Sequence, residues 1–274
     1  MSLTLFDSSK EQLACISDSI DSSTIRIWNC KTGELVSSYA SSFQVTCCTW
    51  LKPKASRKKK RGIVCDKELA FGAANGEVSI LDVESGIVSK TINKLSSPVR
   101  DIVFDDNGSI YAASLNGDIL KWSLNEEESF SQWKTKIANI SRIMLSESSD
   151  ELFIATNLIS LYNLQTKKVK KFGEHSSIIS NISGTRNVIT ASEEDRFINF
   201  WDLETKELIK SVNIDSQIDF MPAIEDDFLC LSTDGILFVF REDKQFRVKF
   251  VDDREKIIPI IHAEFKGKGI LTCR

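Results

Sequence analysis

Few residues in this chain have the types and spacing to do chemistry. Only two histidines occur, His175 and His262. His175 and Asp195 could serve as a base and its carboxylate orienter, but the sequence places no suitable nucleophile beside them. No glycine-rich nucleophile turn accompanies them, and the same side chains can instead satisfy one another as a buried polar network. Seven cysteines (Cys15, Cys30, Cys47, Cys48, Cys65, Cys230 and Cys273) show no CxxC spacing, and neither histidine lies beside a cysteine pair. They read as small buried hydrophobes of a reducing compartment. Neither GxxxxGK[ST] nor GxGxxG occurs. The sequence therefore assigns no catalytic residue, no metal, no cofactor and no small-molecule substrate.

Charge supplies the other candidate. The 274 residues carry a net charge of −4, yet Lys52, Lys54, Arg57, Lys58, Lys59, Lys60 and Arg61 place seven positive charges in ten residues without an acid, leaving −11 on the rest. Three readings stay open for this segment: a solvated loop, a nuclear import signal, or a contact to nucleic-acid phosphate. No aromatic residue interrupts it, so any nucleic-acid contact would go to phosphate and weaken with salt. A second group, Lys167, Lys168, Lys170 and Lys171, falls on a hairpin whose default reading is a solvated tip. Phe130 and Trp133 follow the acidic residues 126–128 on an expected outer strand, where they either pack on a neighbouring blade or anchor a partner.

The elements that position these residues come from a repeat. An alternating strand ending in an aromatic and a polar or acidic residue recurs at Trp28, Leu81, Trp122, Tyr162, Trp201 and Val239, at spacings of 53, 41, 40, 39 and 38 residues. The long first interval contains the basic insertion. Alternation as in Ile198, Phe200 and the adjoining Trp201 argues for strands, and Thr32-Gly33, Asn75-Gly76, Ser85-Gly86, Asn116-Gly117 and Asp234-Gly235 argue for tight links between them. Each unit then holds about four short strands, a blade of a radially repeated sheet that cannot bury both faces alone.

The stretch FGEHSSIISNISGTRNVITASEEDRFINFWDLETKEL carries the resemblance to the WD-repeat family. That resemblance implies a hydrogen-bonded structural tetrad of His175, Asp195, Trp201 and a hydroxyl. The hydroxyl is Thr190 or Ser192, because the stretch before Asp195 is one residue longer than the family pattern. The expected fold class is all-β, a WD-repeat β-propeller forming a single domain over residues 1–274. Six full repeats are followed by half of another at residues 257–265 and 269–273, which makes seven blades with the last incomplete the expectation, and the chain an N-terminal fragment of a longer protein. A six-bladed ring with an extra hairpin is the alternative.

More specific phrases are EEDRFINFWDL and IIPIIHAEF, in a chain where VTCCTWLKP precedes the basic insert. They resemble WD-repeat subunits of the UTP-A (t-UTP) subcomplex of the small-subunit processome. The resemblance implies a non-catalytic nucleolar scaffold whose partners are other UTP-A subunits and the 5′ external spacer of pre-ribosomal RNA, with a link to ribosomal-DNA transcription. The first residues lack a signal-peptide pattern and nothing reaches the ~18 apolar residues of a membrane span, so a soluble intracellular protein with no membrane partner is expected. The competing class is a WD-repeat adaptor of a ubiquitin ligase or signalling complex, which would need a basic, aromatic-rimmed pocket for an acidic or phosphorylated peptide.

Overall fold

The structure, a computed structural model, describes residues 2–7, 9, 11–51, 67–105, 107–124, 129–146, 148–184, 187–192, 194–221, 223–224, 227–234, 236–241, 244–249, 262–266 and 269–273. The basic insertion 52–61, Cys65, the acidic residues 126–128, Gly235 and residues 257–261 lie outside them. The chain divides into two compact units, Met1–Ile140 and Ser141–Arg274.

The first unit holds three four-stranded antiparallel sheets, each in simple sequence order. Blade one is β1 (Ser2–Phe6), β2 (Gln12–Asp18), β3 (Ser23–Asn29) and β4 (Leu35–Ser41). Blade two is β5 (Val45–Leu51), β6 (Glu68–Ala73), β7 (Glu77–Asp82) and β8 (Ile87–Asn93). Blade three is β9 (Val99–Phe104), β10 (Ser109–Ser114), β11 (Asp118–Ser123) and β12 (Ser129–Lys134).

In the second unit, blade four is β13 (Arg142–Leu145), β14 (Glu151–Ala155), β15 (Leu158–Asn163) and β16 (Val169–Glu174). Blade five is β17 (Ile179–Gly184), β18 (Asn187–Ser192), β19 (Phe197–Asp202) and β20 (Leu208–Asn213). Blade six pairs β21 (Ile218–Phe220) and the short β22 (Ala223–Ile224) with β23 (Asp227–Ser232), followed by β24 (Ile236–Arg241) and β25 (Lys244–Lys249). A hairpin of β26 (His262–Lys266) and β27 (Gly269–Cys273) ends the described chain, with His262 opposite Cys273. No helix occurs among the described residues.

Side-chain patterning explains why each blade is layered as it is. In blades two to five the second and third strands are buried at nearly all positions, Ser109–Ser114 along its whole length, as near-continuous runs of small and apolar residues, whereas Gln12–Asp18 and Ser23–Asn29 of blade one alternate. The fourth strands are exposed, alternating along Ile87–Asn93 and open almost throughout Ser129–Lys134. Burial sets the blades face to face. Ile16, Ile25 and Ile27 of blade one meet Trp50, Leu69, Phe71 and Leu81 of blade two, while Phe153 and Leu161 of blade four meet Val188 and Trp201 of blade five. A fully buried Ile, Leu or Phe contributes roughly 1.5–3 kcal/mol, so these interfaces hold the blades together where the polar network is missing.

The first strands add polar stitches between neighbouring blades. Thr46 Oγ1 donates to the Val99 carbonyl at 2.5 Å, Ser141 Oγ to the Ile179 carbonyl at 2.7 Å, and Asn181 Nδ2 to the Ile218 carbonyl at 3.1 Å. Each ties a blade's first strand, or for Ser141 the residue just before it, to the next blade's first strand within its own unit.

Register corrects one repeat anchor. Val188 on β18 faces Trp201, and Phe228 at the equivalent place on β23 faces Phe240, so Phe240 rather than Val239 is the aromatic of blade six. Phe238, Val239 and Phe240 are all apolar, so alternation alone left the strand free to slip by one residue.

Candidate functional site

Blade five builds a closed hydrogen-bond network from three strands and two loops. His175 lies ahead of β17, Thr190 on β18, Asp195 in the following turn and Trp201 on β19. His175 Nδ1 is 2.8 Å from Asp195 Oδ2, and His175 Nε2 is 2.8 Å from Thr190 Oγ1. Trp201 Nε1 donates to the same Thr190 oxygen at 2.9 Å. Thr190, His175 and Trp201 are 0%, 3% and 6% exposed.

The proton arrangement follows from the donors. Thr190 Oγ1 accepts the indole N–H, leaving its own hydrogen for His175 Nε2. The Asn199 amide also points at Nε2, at 3.2 Å, so that nitrogen is the acceptor and Nδ1–H donates to Asp195. Asn199 Oδ1 in turn accepts the Ser211 hydroxyl at 2.6 Å. The network therefore runs from the outer strand β20 through to the turn at Asp195, and every buried polar atom along it is matched.

Between the two hydroxyls left open by the sequence, the geometry selects Thr190. Ser192 is displaced from the imidazole; its oxygen accepts the Asp195 N–H at 3.2 Å and the Ser177 hydroxyl at 3.1 Å, shaping the turn instead. Asp195 Oδ1 accepts the Phe197 N–H at 3.1 Å. Burial would raise the Asp195 carboxyl, but contacts from Ser192, Phe197 and His175 outweigh it and hold the carboxyl below its usual value.

Asp195, His175 and Thr190 stand in the order of a nucleophilic relay, yet the arrangement is closed to substrate. Its hydroxyl is fully buried and already occupied by an indole N–H, so no electrophile can reach it. What the arrangement can do is lock three strands in register.

Asn199 and Ser211 were not singled out in the sequence. The available signal was a polar residue two positions before Trp201, on the same face of an otherwise apolar strand. The other blades lack the network because the Thr190 position is apolar in them. By strand register it is Phe71 in blade two, Ala112 in blade three, Ile154 in blade four and Cys230 in blade six.

Cys47 and Cys230 are buried, Cys15 and Cys48 half-buried, and Cys30 is exposed in a turn, where it departs from the reading of the cysteines as buried hydrophobes. Burial and the neighbouring Asp101 push the Cys48 thiol up to about 12, and burial raises Cys230 further. Among the described residues no His, Cys, Asp and Glu side chains group so as to hold a metal ion. Phe130 is 53% exposed beneath the Lys94 ammonium, whereas Trp133 is half-buried, so the two aromatics of β12 divide between the contact and packing readings.

Beside Asp195 an open cleft of about 460 Å³ is lined by Glu194, Arg196, Asp215, Ser216, Gln217 and Thr233. Two acids, one arginine and no aromatic make it unlike the basic, aromatic-rimmed pocket that an acidic-peptide adaptor needs.

Repeated four-stranded antiparallel blades, with a His–Asp–Thr–Trp network in one of them, define an all-β chain of the WD-repeat β-propeller class. Comparison with known proteins points the same way. The chain is 22% identical over 222 residues to human WD repeat-containing protein 43, covering 68% of this chain and 33% of that protein. It is 27% identical over 155 residues to the U3 small nucleolar RNA-associated protein 21 homolog of Schizosaccharomyces pombe, covering 53% of this chain and 17% of that protein. It is also 29% identical over 133 residues to the tRNA (guanine-N(7)-)-methyltransferase non-catalytic subunit wdr4 of Dictyostelium discoideum, covering 43% of this chain and 28% of that protein. The chain thus spans a third or less of each relative's length. No protein-family model matches it.

Proposed function

We propose that this chain is a non-catalytic scaffold of ribosome biogenesis, acting in the small-subunit processome on the 5′ external spacer of pre-ribosomal RNA. The observation that carries the reading is the similarity to a protein named as U3 small nucleolar RNA-associated, joined to the UTP-A-like phrases EEDRFINFWDL and IIPIIHAEF. In its finer form the proposal makes the chain the WD-repeat propeller of the fifth U-three-protein, a UTP-A subunit linked to ribosomal-DNA transcription. Residues 1–274 serve in it as one propeller domain.

In this reading rigidity is the working property. The network of His175, Thr190, Asp195 and Trp201 holds blade five, and exposed outer strands are left for neighbouring subunits. The segment 52–61 supplies nuclear import, phosphate contact, or both. Its place of action is the nucleolus, and no bond is made or broken.

The test is to purify the tagged full-length protein from cells after mild RNA–protein crosslinking. Recovery of UTP-A subunits with 5′ external-spacer RNA supports the proposal. Recovery of ubiquitin-ligase or signalling subunits without ribosomal RNA, or persistent cytoplasmic localisation, overturns it.

A further inference from the structure

The lysines of blade four are not absorbed by the scaffold reading. Lys167 closes the β15–β16 turn, Lys168 follows it, and Lys170 and Lys171 lie on β16, which ends its sheet with one edge unpaired. Lys167, Lys168, Lys170 and Lys171 are all exposed, and no acidic residue occurs from Leu164 to Gly173. Among the described residues, Lys168, Lys170 and Lys171 make no ion pair. A further, half-buried cation arrives from blade five, where Lys206 Nζ donates to the Leu203 carbonyl and sits 5.5 Å from the centre of the Phe172 ring on β16.

Turn geometry makes an independent point. Four third-to-fourth-strand turns share one design, in which an Asn or Asp side chain caps the turn and its carbonyl accepts the N–H four residues on. That last position is left-handed in all four. Blades one and two place Gly33 and Gly86 there (φ 73° and 67°), whereas blades four and five place Lys167 and Lys206 (φ 58° and 65°). A lysine in this conformation is strained where glycine is not. Both ammonium groups also meet groups of their own protein, Lys167 Nζ at 5.9 Å from the Tyr162 ring centre and Lys206 Nζ at Phe172 and the Leu203 carbonyl, so the strained positions hold their cations in fixed places at the blade edge.

Protection of an open edge from unwanted pairing is the plain alternative, since lysines serve that purpose. The other outer strands vary: Leu35–Ser41 has no charge, Ile87–Asn93 has Lys90, Ser129–Lys134 has Lys134, Leu208–Asn213 has Lys210, and Lys244–Lys249 carries Lys244, Arg247 and Lys249, so what sets blade four apart is that its cations continue from the strand through the turn to Lys167.

We propose that the outer edge of blade four, formed by Lys167, Lys168, Lys170 and Lys171 with Lys206 beside it, is a docking surface for the phosphate backbone of single-stranded RNA. Lysine offers compact point charges without the flat fork that reads bases. Val169 is the only large apolar residue exposed on β16, so the surface binds phosphate without base stacking. The choice of RNA over other polyanions rests on the ribosome-assembly reading; the surface itself rests on its geometry.

The test measures binding of a fluorescein-labelled 20-nucleotide oligouridylate to the 274-residue chain by anisotropy, between 50 and 200 mM KCl. Substituting Lys168→Glu, Lys170→Glu and Lys171→Glu keeps the edge charged but reverses its sign. The expected result is weaker binding and a log-affinity against log-salt slope shallower by about 2, from roughly 0.7 per lost phosphate contact. Lys90→Glu, Lys94→Glu and Lys134→Glu, with the same change in net charge, should leave the slope as it was. Lys167→Gly with Lys206→Gly should lower the slope while leaving the melting temperature unchanged or raised, a combination that loss of folding cannot produce.

Wild-type affinity and slope in the blade-four triple variant overturn the proposal. So does loss of binding to a labelled polyglutamate 20-mer with oligouridylate binding intact, which would mark an acidic-protein surface. A lost slope in a protein that fails to recover processome partners from cells leaves the RNA surface standing and removes the cellular assignment; recovered partners with an unchanged slope do the reverse.

Discussion

Thr190→Val tests the buried network at its centre. The substitution keeps the branched shape and removes only the hydroxyl, so packing around β18 changes little. Two buried groups then lose their partner at once: the Trp201 indole N–H, held at 2.9 Å, and His175 Nε2, held at 2.8 Å. An orphaned buried donor or acceptor costs roughly 1–3 kcal/mol, and Asn199 still offers Nε2 a second donor, so the loss is about 2–5 kcal/mol. For a chain of this size that is a fall of about 5–15 °C in melting temperature. Ser192→Ala removes a hydroxyl whose bonds stay within the turn, away from the imidazole, and should cost about 1 kcal/mol. The assay is urea unfolding followed by tryptophan fluorescence, with hydrogen exchange on Asn187–Ser192 and Phe197–Asp202 to localise the change. A Thr190→Val protein within about 0.5 kcal/mol of wild type, or a Ser192→Ala protein weaker than it, refutes the assignment of the central hydroxyl to Thr190.

Acid should weaken the fold in a defined direction. Asp195, Asp202, Asp82 and Asp18 all have carboxyls held below their usual value: at Asp195 and Asp18 bonding outweighs opposing burial, and at Asp82 and Asp202 backbone N–H bonds in the turn lead. A depressed folded-state value means the stabilisation is complete above the unfolded carboxylate range near pH 3.9 and is lost as pH falls through the folded values. Unfolding free energy measured from pH 6 to pH 2 should therefore drop below about pH 4, and Asp195→Asn should flatten part of that drop; a flat profile contradicts it. Ser141→Ala removes the bond to the Ile179 carbonyl and should cost about 1–2 kcal/mol, read as faster hydrogen exchange at the start of Ile179–Gly184.

Much of the fold could be read from residues because blades repeat. Four strands per unit and Gly33 and Gly86 at left-handed turn positions follow from spacing and residue type, while the trio of His175, Asp195 and Trp201 is implied by the WD-repeat resemblance. What was not legible needed register. Thr190 and Ser192 lie on the same face of β18, two residues apart, and only the three-dimensional placement of His175 shows that Thr190 meets the imidazole. Asn199 finds Ser211 only because the two are opposite each other on β19 and β20. The stitches from Thr46, Ser141 and Asn181 end on backbone carbonyls of another blade, and a carbonyl has no sequence signature.

The division between inner and outer strands explains where function should be sought. Inner strands such as Ser109–Ser114 are closed on both faces, and a change there is felt as stability. Outer strands share one backbone job, ending a sheet, so their side chains are free to differ, and they do: Leu35–Ser41 is neutral, Ser129–Lys134 exposes Phe130, and Val169–Glu174 follows a run of lysines. Packing explains none of these differences, because exposed side chains bury little area. Lys167 and Lys206 sharpen the point, since backbone strain at those two positions opposes the residue that is there. If Lys167 served only solubility, a cation two residues later, outside the left-handed position, would do as well without strain. Moving the charge, by Lys167→Gly with Val169→Lys, should therefore leave solubility intact and stability unchanged or higher, yet change RNA affinity if position matters.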